Sequence, residues 1–314
     1  MAPRFAPRRS LGRTGFVATA LGAGDLADRA VPKETSVATL RRALDAGLNV
    51  VDTAPMYEDG YSEEIVGAAL RGRREGVLLV DKIDHLDRPV AAQLDGSLAR
   101  LDLPAVDVLV FHAVPDVATW SRLAARGGGM AELGEEIARG RARFRGISCH
   151  DPEALDLALV SGLCDVVMFP VGPLCDPRYV LEILPRARAL GVGTICFKTF
   201  GAGKLVADTE GYGRPLASRP RGKLSSGGAA AEAVDPSLPR LTVSECVRYT
   251  LTCDPDVALL GLSFPNEQDA AFAAAEAFRP MSSAEMAETR RRASRAAQGK
   301  GAVWWNPQPR AGAG

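Results

Sequence analysis

The chain has 314 residues, 38 Lys+Arg against 38 Asp+Glu, and is 46% hydrophobic and 24% charged. Balanced charge argues against a nucleic-acid partner, which calls for a basic excess to neutralise phosphates. The composition also excludes a disordered chain, and no apolar run approaches the ~18 residues needed to span a bilayer.

Length alone suggests two domains, but α/β barrels fill this size with one, and residues 1–314 are read as one domain. Near the N-terminus, Arg8-Arg9 and the apolar stretch from Phe16 to Ala23 resemble an export signal only superficially. A true signal has a longer apolar core and a small-residue cleavage site, so a cytoplasmic location is expected. The six cysteines, Cys149, Cys164, Cys175, Cys196, Cys246 and Cys253, are too sparse for a disulfide scaffold and include no CxxC pair. With three histidines in all, no metal site is expected.

Taken in chain order, short apolar runs predict strands over 18–21, 48–52, 77–82, 106–112, 143–148, 166–170, 193–197 and 257–261. Amphipathic segments between and after them predict helices over 37–46, 63–71, 90–101, 130–138, 153–161, 179–190, 243–251 and 267–278. Val90, Leu94, Leu98 and Leu101 mark the buried face of the third. A helix between successive strands implies parallel pairing with right-handed crossovers. Eight such units are the arithmetic of a (β/α)8 TIM barrel. A doubly wound sheet is the rival, but no GxGxxG follows the first strand. The Gly-, Pro- and Ser-rich stretch 205–241 reads as a long loop after the seventh strand, either a lid or disordered in its middle. Beyond Pro280 a helix capped at Ser282 or Ser283 leads to a tail, 281–314 in all, containing Trp304 and Trp305.

Barrel chemistry gathers at the carboxyl ends of the strands. Those ends supply Asp52, Lys82 and His112, with Tyr57 in the loop after Asp52. A Lys at a strand end loses solvation without a partner, and Asp52 can supply it. A nearby ammonium favours the phenolate of Tyr57, which makes the phenol a proton donor or acceptor, while His112 can orient the same oxygen. This set suits carbonyl reduction or alcohol oxidation on a small molecule. Its side chains carry no hydride, so a nicotinamide cofactor is implied.

From about Arg9 to about Phe278 the chain resembles the aldo-keto reductase superfamily in its bacterial form. The resemblance rests on RRSLGRTGF, LDAGLNVVDTAPMYEDGYSEEIVG, LLVDKI, SLARLDLPAVDVLVFH and FRGISCH. Its most specific block fixes Asp52, Tyr57, Gly60, Ser62, Glu63 and Gly67. The resemblance implies a barrel with a short N-terminal β-hairpin and a C-terminal helical extension. It implies a catalytic tetrad of Asp52, Tyr57, Lys82 and His112, with Tyr57 as general acid, and NADP(H) ahead of NAD(H).

For the nicotinamide it implies Ser148 and Cys149, where the family has Ser-Asn, then Met168 in place of Gln, and Phe197 for stacking. Gly201, Gly203 and Lys204 in CFKTFGAGKL are placed to meet pyrophosphate. Gly261, Ser263, Glu267 and Gln268 lie toward adenosine, with Phe272 near the usual Asn. Gly22 and Gly24 join the cofactor wall, although a G-x-G also serves simply to turn the chain. Asp25, Tyr61, His85, Trp304 and Trp305 are candidate substrate walls, His150 reads as a loop histidine, and Leu26 and the 205–241 loop complete the set.

The leading expectation is an NAD(P)H-dependent reductase of aldehydes or ketones. A sugar or alcohol dehydrogenase, a redox-recycling epimerase or lyase, and a non-catalytic nucleotide-binding scaffold or regulatory subunit are the alternatives. Oligomeric state is not legible in the sequence.

Overall fold

Alternation along the strands is what builds this molecule. Within the computed structural model, which describes residues 3–24, 26–29, 31–206 and 237–307, eight parallel strands close into a barrel. They are β3 (Leu21–Gly24), β4 (Val50–Asp52), β5 (Leu78–Ile83), β6 (Val108–Val114), β7 (Phe144–Cys149), β8 (Val166–Pro170), β9 (Gly193–Phe197) and β10 (Val257–Leu260). Closure comes from β10 pairing with both β9 and β3.

Two hydrophobic clusters follow from the period of two. One fills the barrel interior and holds Val50, Leu78, Val80, Val108, Val110, Val166, Met168, Ile195, Val257 and Leu259. The other, with Val51, Leu79, Leu109, Phe111, Ile147 and Val167, faces the surrounding helices. Interior positions continue upward to Asp52 after Val50, Lys82 after Val80, and His112 after Val110. The polar residues are thus the top layer of the barrel filling, at the carboxyl ends of the strands.

The bottom is plugged by a hairpin of β1 (Arg9–Ser10) and β2 (Val17–Ala18). Leu11 and Ala18 from it are fully buried in the interior cluster. Gly12 sits there with φ +48, and a Cβ on it would stand 2.3 Å from the Gly193 nitrogen, so only glycine fits.

Around the barrel run α1 (Lys33–Asp45), α2 (Tyr61–Leu70), α3 (Val90–Leu101), α4 (Val117–Ala124), α5 (Gly129–Ala138), α6 (Pro152–Val160), α7 (Leu184–Ala189), α8 (Val243–Cys253) and α9 (Pro265–Glu276). A π-helical turn, Tyr179–Ile183, leads into α7. Finally α10 (Ser283–Ala296) begins at the Ser282 capping box with Glu285. In α3, Val90, Leu94 and Leu101 are buried as expected, while Leu98 is only half-buried.

Two expectations need correction. The first barrel strand is Leu21–Gly24, not 18–21, because Val17–Ala18 pairs with β1 instead. Gly22 and Gly24 lack side chains that would mark a strand, yet their bare backbone packs against Val257 and Leu259. Between β6 and β7 there are two helices rather than one. The added α4 is capped by Asp116, whose Oδ1 accepts the Thr119 N–H at 2.7 Å, and it buries Trp120 and Leu123.

All six cysteines are free thiols; five are buried and Cys253 is half-buried. Among the described residues no helix is long and apolar enough to cross a membrane. The expected loop 205–241 lies outside the described residues between 207 and 236.

Candidate active site

The motif around Tyr57 is held by backbone geometry, by two side-chain ties and by one close backbone approach. Glu58, Asp59 and Gly60 have φ of 51°, 52° and 81°, a left-handed run that turns the chain from β4 into α2. Thr53 donates to Ser62 Oγ at 2.9 Å, and Arg100 pairs with the buried Glu63 at 2.5 Å. Gly67 admits the backbone of α3, since a Cβ there would stand 2.1 Å from the Leu101 oxygen. These contacts explain why the block DTAPMYEDGYSEEIVG needs its small and charged residues where they are.

Inside this frame Lys82 donates to Asp52 Oδ1 at 2.6 Å and to the Thr53 carbonyl at 2.7 Å. Both side chains are buried, at 2% and 3% exposure, so each satisfies a charge the other could not carry alone. Burial pushes the Asp52 carboxyl above its usual range, against the pull of Lys82. The Lys82 ammonium lies 4.5 Å from the centre of the Tyr57 ring. The His112 ring meets Tyr57 edge-on, with centroids 5.6 Å apart.

His112 is aimed by an irregularity in β6: the register with β7 shifts between Phe111 and Val114, and Ala113 has φ 53°. Bulges of this kind re-aim side chains next to active sites. Its Nδ1 lies 2.5 Å from Asp84 Oδ1. Burial lowers its pKa, with Asp84 the chief opposing influence.

These four residues line one cavity of about 260 Å³ together with Gly24, Ser148, Met168, Phe197, Gly261 and Trp304. The cavity also reaches His150, read from the sequence as a loop histidine, Ala202 of the expected pyrophosphate turn, and Lys198 and Thr199, which sequence reasoning passed over. His150 meets both Phe197 and Trp304 edge-on, at 5.5 and 5.2 Å. Lys198, with φ 73°, holds its ammonium 4.6 Å from the Trp304 ring centre. Both residues lie in the stretches FRGISCH and CFKTFGAGKL, but nothing there announced their roles, because both positions depend on how the tail folds back over β7 and β9.

Other expected residues lie elsewhere. Cys149 is on the outward parity of β7, fully buried, with its sulfur bonded to the Asp151 backbone and its thiol pushed up to about 12. Gly22 is one layer below the cavity. Gly201 and Gly203 are buried in a turn with φ of 56° and 81°, and the Lys204 ammonium bonds to the Lys300 carbonyl.

At the start of α9, Glu267 accepts the Ser263 N–H at 2.8 Å and burial pushes it up to about 8. Gln268 is fully buried, donating to the Thr39 and Leu262 carbonyls. Phe272 is buried against Phe5. Tyr61 lies under the Arg29 guanidinium, and His85 is exposed. Trp305 is fully buried, its carbonyl accepting from Tyr179. Asp25 lies outside the described residues.

The sequence profile of the Aldo/keto reductase family matches residues 19–290. The chain belongs to this family. Among aldo/keto reductases it is 33% identical over 140 residues to Methylglyoxal reductase YeaE of Escherichia coli, covering 44% of this chain and 47% of that protein. To Aldo-keto reductase YhdN of Bacillus subtilis it is 28% identical over 227 residues, 65% of each chain. The matches therefore span about half and under two thirds of those relatives. An aldo-keto reductase from Klebsiella pneumoniae, solved in complex with NADPH, shares the fold with TM-score 0.65 at 20% identity over 97% of both chains.

Proposed function

We propose that this aldo/keto reductase is an NADP(H)-dependent reductase of aldehydes or ketones, with Tyr57 as the general acid. The observation that carries the reading is the convergence of a buried Asp52–Lys82 pair, Tyr57 and His112 on one cavity.

The walls of that cavity suit the nicotinamide end of the cofactor. Phe197 and Trp304 offer ring faces beside Ser148, and two buried polar atoms there, His150 Nε2 and Thr199 Oγ1, have no protein partner. Buried polar groups left without a partner beside a cavity are ones a polar ligand can satisfy once side chains there adjust. Phe197, Ser148, His150 and Thr199 would hold it, and when bound it supplies the hydride. Cys149, Gln268 and Lys204 are taken up by the protein's own contacts. NADP(H) is favoured over NAD(H) by the NADPH-bound relative from Klebsiella pneumoniae.

The chain's own residues then manage the proton. As the carbonyl oxygen gains charge, Tyr57 donates to it. The ammonium of Lys82 beside the ring stabilises the negative charge left on the phenolic oxygen, and Asp52 keeps that ammonium charged and in place. His112 orients the carbonyl oxygen. Run backward, the same groups accept the proton of an alcohol.

Titration with NADPH and NADH, followed by Trp fluorescence and then by cofactor absorbance with a panel of aldehydes and ketones, tests this. Micromolar NADPH binding with carbonyl-dependent oxidation is expected. Tight binding with no turnover of any carbonyl or alcohol would return the chain to a nucleotide-binding scaffold.

A further inference from the structure

His112 has a partner its own strand does not provide. Asp84 follows Lys82 by two residues at the end of β5, and its Oδ1 lies 2.5 Å from His112 Nδ1. Its Oδ2 accepts the Met56 N–H at 2.7 Å. A single carboxylate therefore joins the ring of His112 to the loop that carries Tyr57. Its side chain is 9% exposed, and that of His112 is 12% exposed.

A carboxylate has no proton to give, so the hydrogen between the two belongs to Nδ1. That leaves Nε2 as the nitrogen available to the cavity, and in the neutral ring Nε2 can only accept. It becomes a donor when the ring takes a second proton.

We propose that Asp84 is the positioning residue of His112: it holds the Nδ1–H tautomer and supplies the negative charge that lets Nε2 be protonated. The inference rests on the reductase reading above and deepens it. Reduction draws on the protonated pair, whose Nε2–H donates a hydrogen bond to the carbonyl oxygen as that oxygen gains charge. Alcohol oxidation runs the same step backward, with Nε2–H donating to the hydroxyl oxygen while the Tyr57 phenolate takes the hydroxyl proton. Nε2 keeps its proton in reduction, because the proton that ends on the alcohol is the one Tyr57 gives.

The surroundings of His112 make Asp84 decisive. Burial opposes the imidazolium most strongly, and Lys82 on β5 opposes it as well. Asp52 on β4 favours it, but less than Asp84 does. Tyr57 from the β4–α2 loop faces the ring. His150, beyond β7, is held down to about 3 by burial and stays neutral at working pH. Without Asp84, desolvation and Lys82 would face only the weaker pull of Asp52. Asp84 itself does not line the cavity, so it acts through the histidine and not on the ligand.

The test combines nitrogen-15 NMR of the histidines with pH profiles of the wild type and Asp84→Asn, in the full chain. The wild-type neutral ring should show the Nδ1–H tautomer. In Asp84→Asn the His112 pKa should fall by about one unit or more. The alkaline limb for carbonyl reduction should move down with it, a roughly tenfold loss in kcat/KM above both values, while NADPH Kd changes less than about twofold. An Nε2–H tautomer in the wild type, or titration curves that superimpose, would overturn the proposal. Should Asp84→Asn fail to fold, the wild-type tautomer decides alone. A wild type that reduces no carbonyl refutes the reductase reading instead, and the NMR titration still reports on the pair.

Discussion

Lys204 and Lys300 each donate from the ammonium to the other's backbone carbonyl. The exchange ties the turn after β9 to the segment just before Trp304, and both side chains are buried. Burial lowers both ammonium pKa values, that of Lys300 to about 8. The tail is further fixed by Asn306, which donates to the Leu174 carbonyl and accepts the Asp176 N–H.

Cutting that stitch should loosen the tail. Lys300→Met removes the donor to the Lys204 carbonyl and is expected to cost about 1–3 kcal/mol by denaturant unfolding. Trp emission should shift to the red as Trp305 gains water. Unchanged emission and stability would mean that the other ties hold the tail alone.

Rising pH should destabilise the protein through two buried acids. Burial, reinforced by Glu63, pushes Asp81 up to about 7, and burial pushes Glu267 up to about 8. A carboxyl whose folded pKa is raised contributes stability that is full below its unfolded pKa and is lost as pH rises through the folded value. Tm should therefore fall from about pH 4 to about pH 8 and level off above. Asp81→Asn should flatten the lower part of that fall. A variant as steep as the wild type there would contradict the assignment.

Gly67→Ala tests the packing behind the Tyr57 loop. Its methyl would collide with the backbone oxygen of Leu101, so α2 and α3 must separate, at about 1–3 kcal/mol. The midpoint of denaturant unfolding should drop accordingly. An alanine variant as stable as the wild type would show that the helix pair is not close-packed.

Tyr57→Phe should lower kcat for carbonyl reduction by about two orders of magnitude or more while NADPH binding stays within about twofold. Lys82→Met should be worse for the fold, since it strands Asp52 as an uncompensated buried charge, at about 3–5 kcal/mol. Urea melts of both variants, beside their kinetics, separate the two roles. Retained activity in Tyr57→Phe would remove the phenol from the mechanism.

The legible parts of the fold were those where side chains speak. Along the inward positions of Leu78–Ile83, Leu78 and Val80 are apolar and Lys82 then faces the cavity, and that break marks both strand and site. The first barrel strand was not legible because Gly22 and Gly24 carry no pattern. Strand parity did hold a signal that motif matching overlooked. Counting by twos from Gly146 reaches Ser148 and passes over Cys149, which faces outward. Asp84, His150 and Lys198 stayed hidden for another reason. Their places depend on contacts with residues far along the chain, the Ala113 irregularity and the returning tail, which no local spacing encodes. Lys204 was misdirected likewise, since its partner stands 96 residues away.

The most direct measurement follows deuterium from NADPH carrying two deuteriums at the nicotinamide C4 into the product of a carbonyl substrate. The account predicts deuterium on the carbinol carbon with the wild type and next to none with Tyr57→Phe. Alcohol formed without label, or no alcohol from any carbonyl despite NADPH binding, would contradict it.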